Sequence, residues 1–151
     1  MKIKSIDLFP KIQPDDERLR KFHKLLAEKK KLYQISAIFP LQLFPDQLII
    51  DTQKITLIYN QLLGEVRETI LIDQIGDLDL TLGPLFRSLN ILSISHGKQW
   101  LKISQLRRDQ ALRAKRIIEG LIIARRGNIE LDDSDQKLTN ELEILGSVNK
   151  V

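Results

Sequence analysis

The chain has no cysteine, one methionine and one tryptophan, and aromatic residues make up only 5% of it. Without cysteine there can be no disulfide, no thiolate metal site and no cysteine nucleophile. That composition fits a reducing compartment and makes the cytoplasm the expected location. No apolar run approaches the roughly 20 residues that a bilayer-spanning helix requires. The opening MKIKSIDLFPKIQPDDE is basic but leads into no apolar stretch, so no secretory signal is expected. Histidine is scarce: His23 lies among lysines and His96 precedes a glycine, and neither has a partner at metal-ligand spacing. The glycine patterns of phosphate- and dinucleotide-binding loops are missing, as is the nucleophile elbow. The acidic stretch that begins at Asp132 puts Lys137 where a calcium loop requires glycine. These gaps leave no catalytic constellation and imply no cofactor and no metal, so the chain is expected to be non-enzymatic.

What is present suits one globular domain: 151 residues, 42% hydrophobic and 29% charged. The net charge of +4 is unevenly spread, at +5 over residues 1–35, −2 over 36–103, +5 over 104–127 and −4 over 128–151. The basic segments read as solvated helix faces, with phosphates or an anionic membrane surface as the alternative partners.

Hydrophobic periodicity divides the chain. Residues 15–34 read as a helix that starts on Asp15, Asp16 and Glu17 and carries Leu19, Phe22, Leu25, Leu26 and Leu32 at spacings of three and four, with Lys29, Lys30 and Lys31 interrupting the stripe. From 37 to 103 the period becomes that of strands. The runs IFPLQLF, QLIID, ITLIYNQLL, EVRETILIDQI, DLDLTL, LFRSLNILSIS and KQWLKI are separated by Pro45-Asp46, TQK, Gly64, Gly76, Gly83-Pro84 and His96-Gly97. Leu78, Leu80 and Leu82 alternate with polar residues, and Trp100 shares a strand face with Lys98 and Lys102 and reads as a packing residue. Leu85 and Phe86 follow a turn and are either core or an apolar tip. Residues 104–126 form a second helix, with Ser104 as its N-cap, Leu106, Ala114, Ile117, Ile118 and Leu121 on one face, and Gly127 ending it in a left-handed turn. After a polar linker, KLTNELEILGSV reads as a short helix with Leu138, Leu142 and Leu145 on one side, too short to stand alone.

This order of elements, and the stretches LFPDQLIID, KITLIY, GPLFRSLNIL and DQALRAKRIIEGLIIAR, resemble a bacterial branch of the pleckstrin-homology-like (PH-like) superfamily over roughly residues 37–127. The resemblance implies an α+β, mainly β fold: a seven-stranded antiparallel bent barrel capped by a C-terminal helix. The expected units are a basic amphipathic helical extension over 1–36, the barrel and its helix over 37–127, and an acidic linker with a helical tail over 128–151. Some members of the superfamily bind phosphoinositide headgroups through Lys and Arg around the first hairpin. Here that turn is Phe44-Pro45-Asp46-Gln47, Lys54 lies in the next turn and Arg67 is the only cation of the fourth strand, so the clustered charge that phosphate capture needs is missing from the sequence. Other members bind peptides at a sheet edge or beside the helix.

The expected role is therefore an interaction or scaffold module that binds a protein partner or itself, with Leu19, Phe22, Leu26, Leu138, Leu142 and Leu145 as contacts. The alternative is a peripheral membrane module held on anionic lipid by Lys24, Lys29, Lys30 and Lys31. A second alternative is nucleic acid bound through the basic helices, which the scattered cations and scarce aromatics of 104–127 disfavour. No small-molecule substrate is evident.

Overall fold

The computed structural model describes residues 30–95, 97–127, 129 and 135–148. Within them the fold is α+β and mainly β. Seven antiparallel strands, β1 (Lys31–Ser36), β2 (Gln47–Asp51), β3 (Lys54–Gln61), β4 (Gly64–Leu71), β5 (Ile75–Leu82), β6 (Arg87–Ser93) and β7 (Gln99–Leu106), precede the helices α1 (Arg108–Gly127) and α2 (Asp135–Ser147). The strands form two meanders, β1-β2-β3-β4 and β5-β6-β7, joined by one 3-10 turn, Ile72–Gln74. The seven strands and the C-terminal helix agree with expectation, but the barrel does not close: the strands remain two separate sheets.

Alternation decides what each sheet buries. Leu48 and Ile50 of β2, Ile55 and Leu57 of β3, Leu89 and Ile91 of β6, and Leu101 and Ile103 of β7 all point inward and are essentially inaccessible. Ile72 and Ile75 fill the corner where the chain leaves one sheet for the other. Asp51 shapes the β2–β3 turn, its Oδ1 accepting the Gln53 and Lys54 amides at 2.8 Å each. Gly97 supplies a backbone φ of 99° between β6 and β7, a conformation that side chains resist.

Helix α1 lays Ala111, Ala114, Ile118 and Leu121 into this core, and a second, adjacent stripe receives α2. The two helices meet at backbone distance. A Cβ on Gly120 would lie 2.7 Å from the Leu142 carbonyl carbon, and one on Gly146 would lie 2.7 Å from that of Arg116. Leu138 and Leu142 are thereby fully buried within the chain, with Leu145 packed beside them. A helix of 13 residues is marginal in water, so this burial, roughly 1.5–3 kcal/mol for each leucine, is what holds it.

Several features differ from the sequence reading, among them the break expected at Gly76, which lies inside β5 while the chain turns at Ile72–Gln74. The helix expected over 15–34 overlaps β1: residues 31–36 are a strand paired with β2, so the extension expected over 1–36 gives up its last residues to the sheet. The strand expected at IFPLQLF is a loop. Pro40 and Pro45 cannot donate to a ladder, while the segment satisfies itself through Gln42 N to Ile38 O and Gln42 Nε2 to Asp46 Oδ2. Ser104 does not cap α1 but belongs to β7. A register irregularity there, with Gln105 at φ 58°, turns Leu106 back into the core before the helix begins at Arg108. Gly127 is helical, without the left-handed turn expected of it, but Ile129 does fold back, its amide bonding to Ala124 O and its side chain packing on the core.

Candidate interaction surface

The loops on one side of the molecule are tied together by hydrogen bonds. Asn60, near the end of β3, donates from Nδ2 to Pro45 O at 2.7 Å, and its amide donates to Asp46 Oδ1 at 3.1 Å. These bonds join the β3–β4 hairpin to the β1–β2 loop. Ile38 N donates to Gln105 O at 3.0 Å, and Leu106 pairs with Arg87 at the base of the β5–β6 turn. The loop over 37–46, the turn at 62–63 and the turn at 83–86 therefore come out at the same end.

That end is apolar. The first loop exposes Phe39, Leu41, Leu43 and Phe44, the second Leu62 and Leu63, and the third Leu85 beside Leu82. Leu63 is 97% exposed, so it contributes nothing to the core of the isolated chain. Eight large side chains at roughly 60–100 Å² of apolar area each give about 500–800 Å², at or above the largest patch of a typical monomer. Charge is nearly absent: Asp46 is the single charged residue in 37–46, and neither turn carries one. Leu82 continues the row of Leu78 and Leu80 along one face of its strand. The strand outruns the core, and Leu82 is left in solvent. Leu85 is indeed an apolar tip, with Phe86 half-buried behind it.

The expected contact residues have other places. Leu138, Leu142 and Leu145 are occupied by the molecule's own core, which among the described residues of the tail leaves Ile144 and Val148 as the large exposed apolar groups. Leu19, Phe22, Leu26, Lys24 and Lys29 lie outside the described residues, as do His23 and His96. Lys30 leads into β1, and Lys31 opens it with an exposed side chain. Trp100 stands half-exposed on the outer face of the three-stranded sheet, opposite Leu92.

The helices are pinned at both ends of α1. Arg125 grips Asp73 with both arms, Nε to Oδ1 at 2.9 Å and Nη2 to Oδ2 at 2.8 Å, and also reaches Thr52 O. This hydrogen bonding holds the Asp73 carboxyl below its ordinary value. At the other end Arg113 pairs with Glu143 at 3.1 Å and lies over the Tyr33 ring at 5.2 Å. These residues, with Asp109 and Arg116, line an open cavity of about 590 Å³. Burial raises the Tyr33 phenol above its usual value, against the Arg113 charge. Acids and bases here neutralise each other across β1, α1 and α2, so the cluster reads as a clamp.

No protein-family model matches the chain, and no curated protein is similar to it in sequence.

Proposed function

We propose that the chain is a non-enzymatic interaction module of PH-like architecture that associates with a second copy of itself through the apolar end of its loops. The order of four strands, three strands and a helix supports the architectural reading. The observation that carries the functional one is the gathering of Phe39, Leu43, Leu62, Leu63 and Leu85 from three separate loops. Framework packing does not account for residues exposed to this degree.

Two arguments favour another protein surface over lipid. The patch approaches the area of about 800 Å² per partner of a standard interface. Its three loops also lack the cations that anionic lipid would select, with Asp46 the only charge among them. An uncharged apolar patch is its own complement, so a second copy related by a two-fold axis is the simplest occupant.

Sedimentation velocity of the full chain over a range of concentrations tests this. The expected result is a mass rising toward twice the monomer, and Leu63→Asp, which leaves the fold intact, restores the monomer. A chain that stays monomeric at high concentration, or a Leu63→Asp protein that dimerises unchanged, contradicts the proposal. Co-sedimentation of the monomer with vesicles would instead favour a peripheral membrane role.

A further inference from the structure

We infer that the outer face of the four-stranded sheet holds a phosphate-binding site formed by Lys31, Lys54, Arg67 and the hydroxyls of Thr56 and Thr69. These residues come from three strands and are widely spaced in sequence, so no run of the chain shows them as a cluster. The sheet brings them together. Thr56 pairs directly with both Ile49 and Thr69, giving a polar and half-apolar floor one residue deep across three strands. Lys31 pairs with Asp51 at the start of β1, Lys54 begins β3, and Arg67 lies two residues from Thr69 on β4. Together they line one open depression of about 450 Å³.

The charges there are poised for an anion. Among the described residues no carboxylate pairs with the Lys31 or Lys54 ammonium; Lys31 Nζ donates to the neutral Gln34 Oε1. Asp51, the one acid in the lining, has an oxygen committed to two backbone amides of its own turn. Arg67 is paired with Glu65, but both side chains are well exposed, and a surface pair of that kind exchanges readily for a better acceptor. Within the described residues the Thr56 and Thr69 hydroxyls bond to nothing else. Two donors on a floor ringed by three cations suit the several acceptor oxygens of a phosphate better than a planar carboxylate.

The site lies at the β2–β3 side of the sheet, away from the apolar loops, and does not depend on self-association. The test is an amide-resolved NMR titration of the full chain, at low and moderate salt, with inorganic phosphate. Parallel titrations use vesicles of phosphatidylcholine alone or mixed with phosphatidic acid. Saturable shifts centred on the Thr56 and Thr69 amides are expected. Lys54→Gln and Arg67→Gln should each weaken binding by about tenfold, the loss of one charge-assisted contact. Lys102→Gln, which removes an exposed cation from the other sheet, should leave it unchanged. A response to phosphatidic acid vesicles as well as to phosphate identifies a lipid headgroup as the source, and a response to phosphate alone identifies a soluble one. Absence of saturable shifts at Thr56 and Thr69, or equal weakening by Lys102→Gln, overturns the site. Binding of a phosphoserine peptide without any response to phosphate or vesicles overturns it in favour of a protein ligand.

Discussion

Replacing Gly120 with alanine probes the tightest contact in the molecule. In a solvent-facing helix this change adds about 1 kcal/mol of stability, because glycine loses more backbone freedom on folding. At residue 120 the new methyl would lie 2.7 Å from the Leu142 carbonyl carbon and 2.9 Å from its Cα. Non-bonded carbons prefer roughly 3.5–4.0 Å. The obstacle is backbone, so no rotamer relieves it, and α1 and α2 must part by about 1 Å. A gap of that size forfeits a quarter to a half of the dispersion energy along the seam, where Leu138 and Leu142 are buried. Over-packing of this kind costs about 1–3 kcal/mol. Set against the propensity gain of about 1 kcal/mol, the net loss reaches up to about 2 kcal/mol, a fall in melting temperature of a few degrees, up to about 8 °C, for a domain of this size. Thermal unfolding followed by far-ultraviolet circular dichroism measures it. Gly127→Ala is the matched control, because the new Cβ would meet only the flexible side chain of Ile129, at 3.2 Å. There the melting temperature should hold or rise. A Gly120→Ala protein that melts above the wild type would refute the crossing of the two helices at this residue, and with it the docking of α2.

Titrations check two further details. Burial raises the phenols of both Tyr33 and Tyr59, and these are the chain's two tyrosines. In ultraviolet titration both should ionise above the unfolded value of about 10, and in denaturant both should return to it. A folded pKa above the unfolded one means stability that is full below pH 10 and lost as pH climbs through the folded values; a folded protein that titrates like the denatured one would contradict their burial. Asp73 shifts the other way, so its contribution is present above about pH 4 and disappears as acid protonates it through its lower folded pKa. The side chain is 64% exposed, which limits the effect to well under about 1 kcal/mol. Urea unfolding of wild type and Asp73→Asn from neutral to acid pH should show a small gap that closes in acid. A gap that widens there would mean that the pairing with Arg125 is misassigned.

The helix expected over 15–34 failed at its C-terminal end for an instructive reason. Leu32 and Tyr33 extend the apolar stripe of Leu25 and Leu26, but the chain joins the sheet at Lys31, the last lysine of the run that interrupts that stripe. Leu106 misled in the same way. Its distance from Ala114 fits a helix face, yet the Gln105 backbone returns it to the core as the last residue of a strand. Local periodicity reports that a residue is buried, and it does so for either element when the register allows both.

From the chain alone came the strand runs from β2 to β7, the turns at 52–53, 83–86 and Gly97, the long helix with its buried Ala114, Ile117, Ile118 and Leu121, and the short terminal helix with its leucine face. Alternation and turn chemistry are properties of near neighbours, so they can be read without coordinates. Tertiary structure decided the rest. It gave Leu138 and Leu142 to α1 and not to a partner, because only the packed backbone shows Gly120 and Gly146 opening the seam that receives them. It left Leu63 and Leu85 in solvent at one end, and it collected Lys31, Lys54 and Arg67 on one face. Which groups converge, and which apolar residues stay uncovered, depends on strand pairings between residues far apart along the chain.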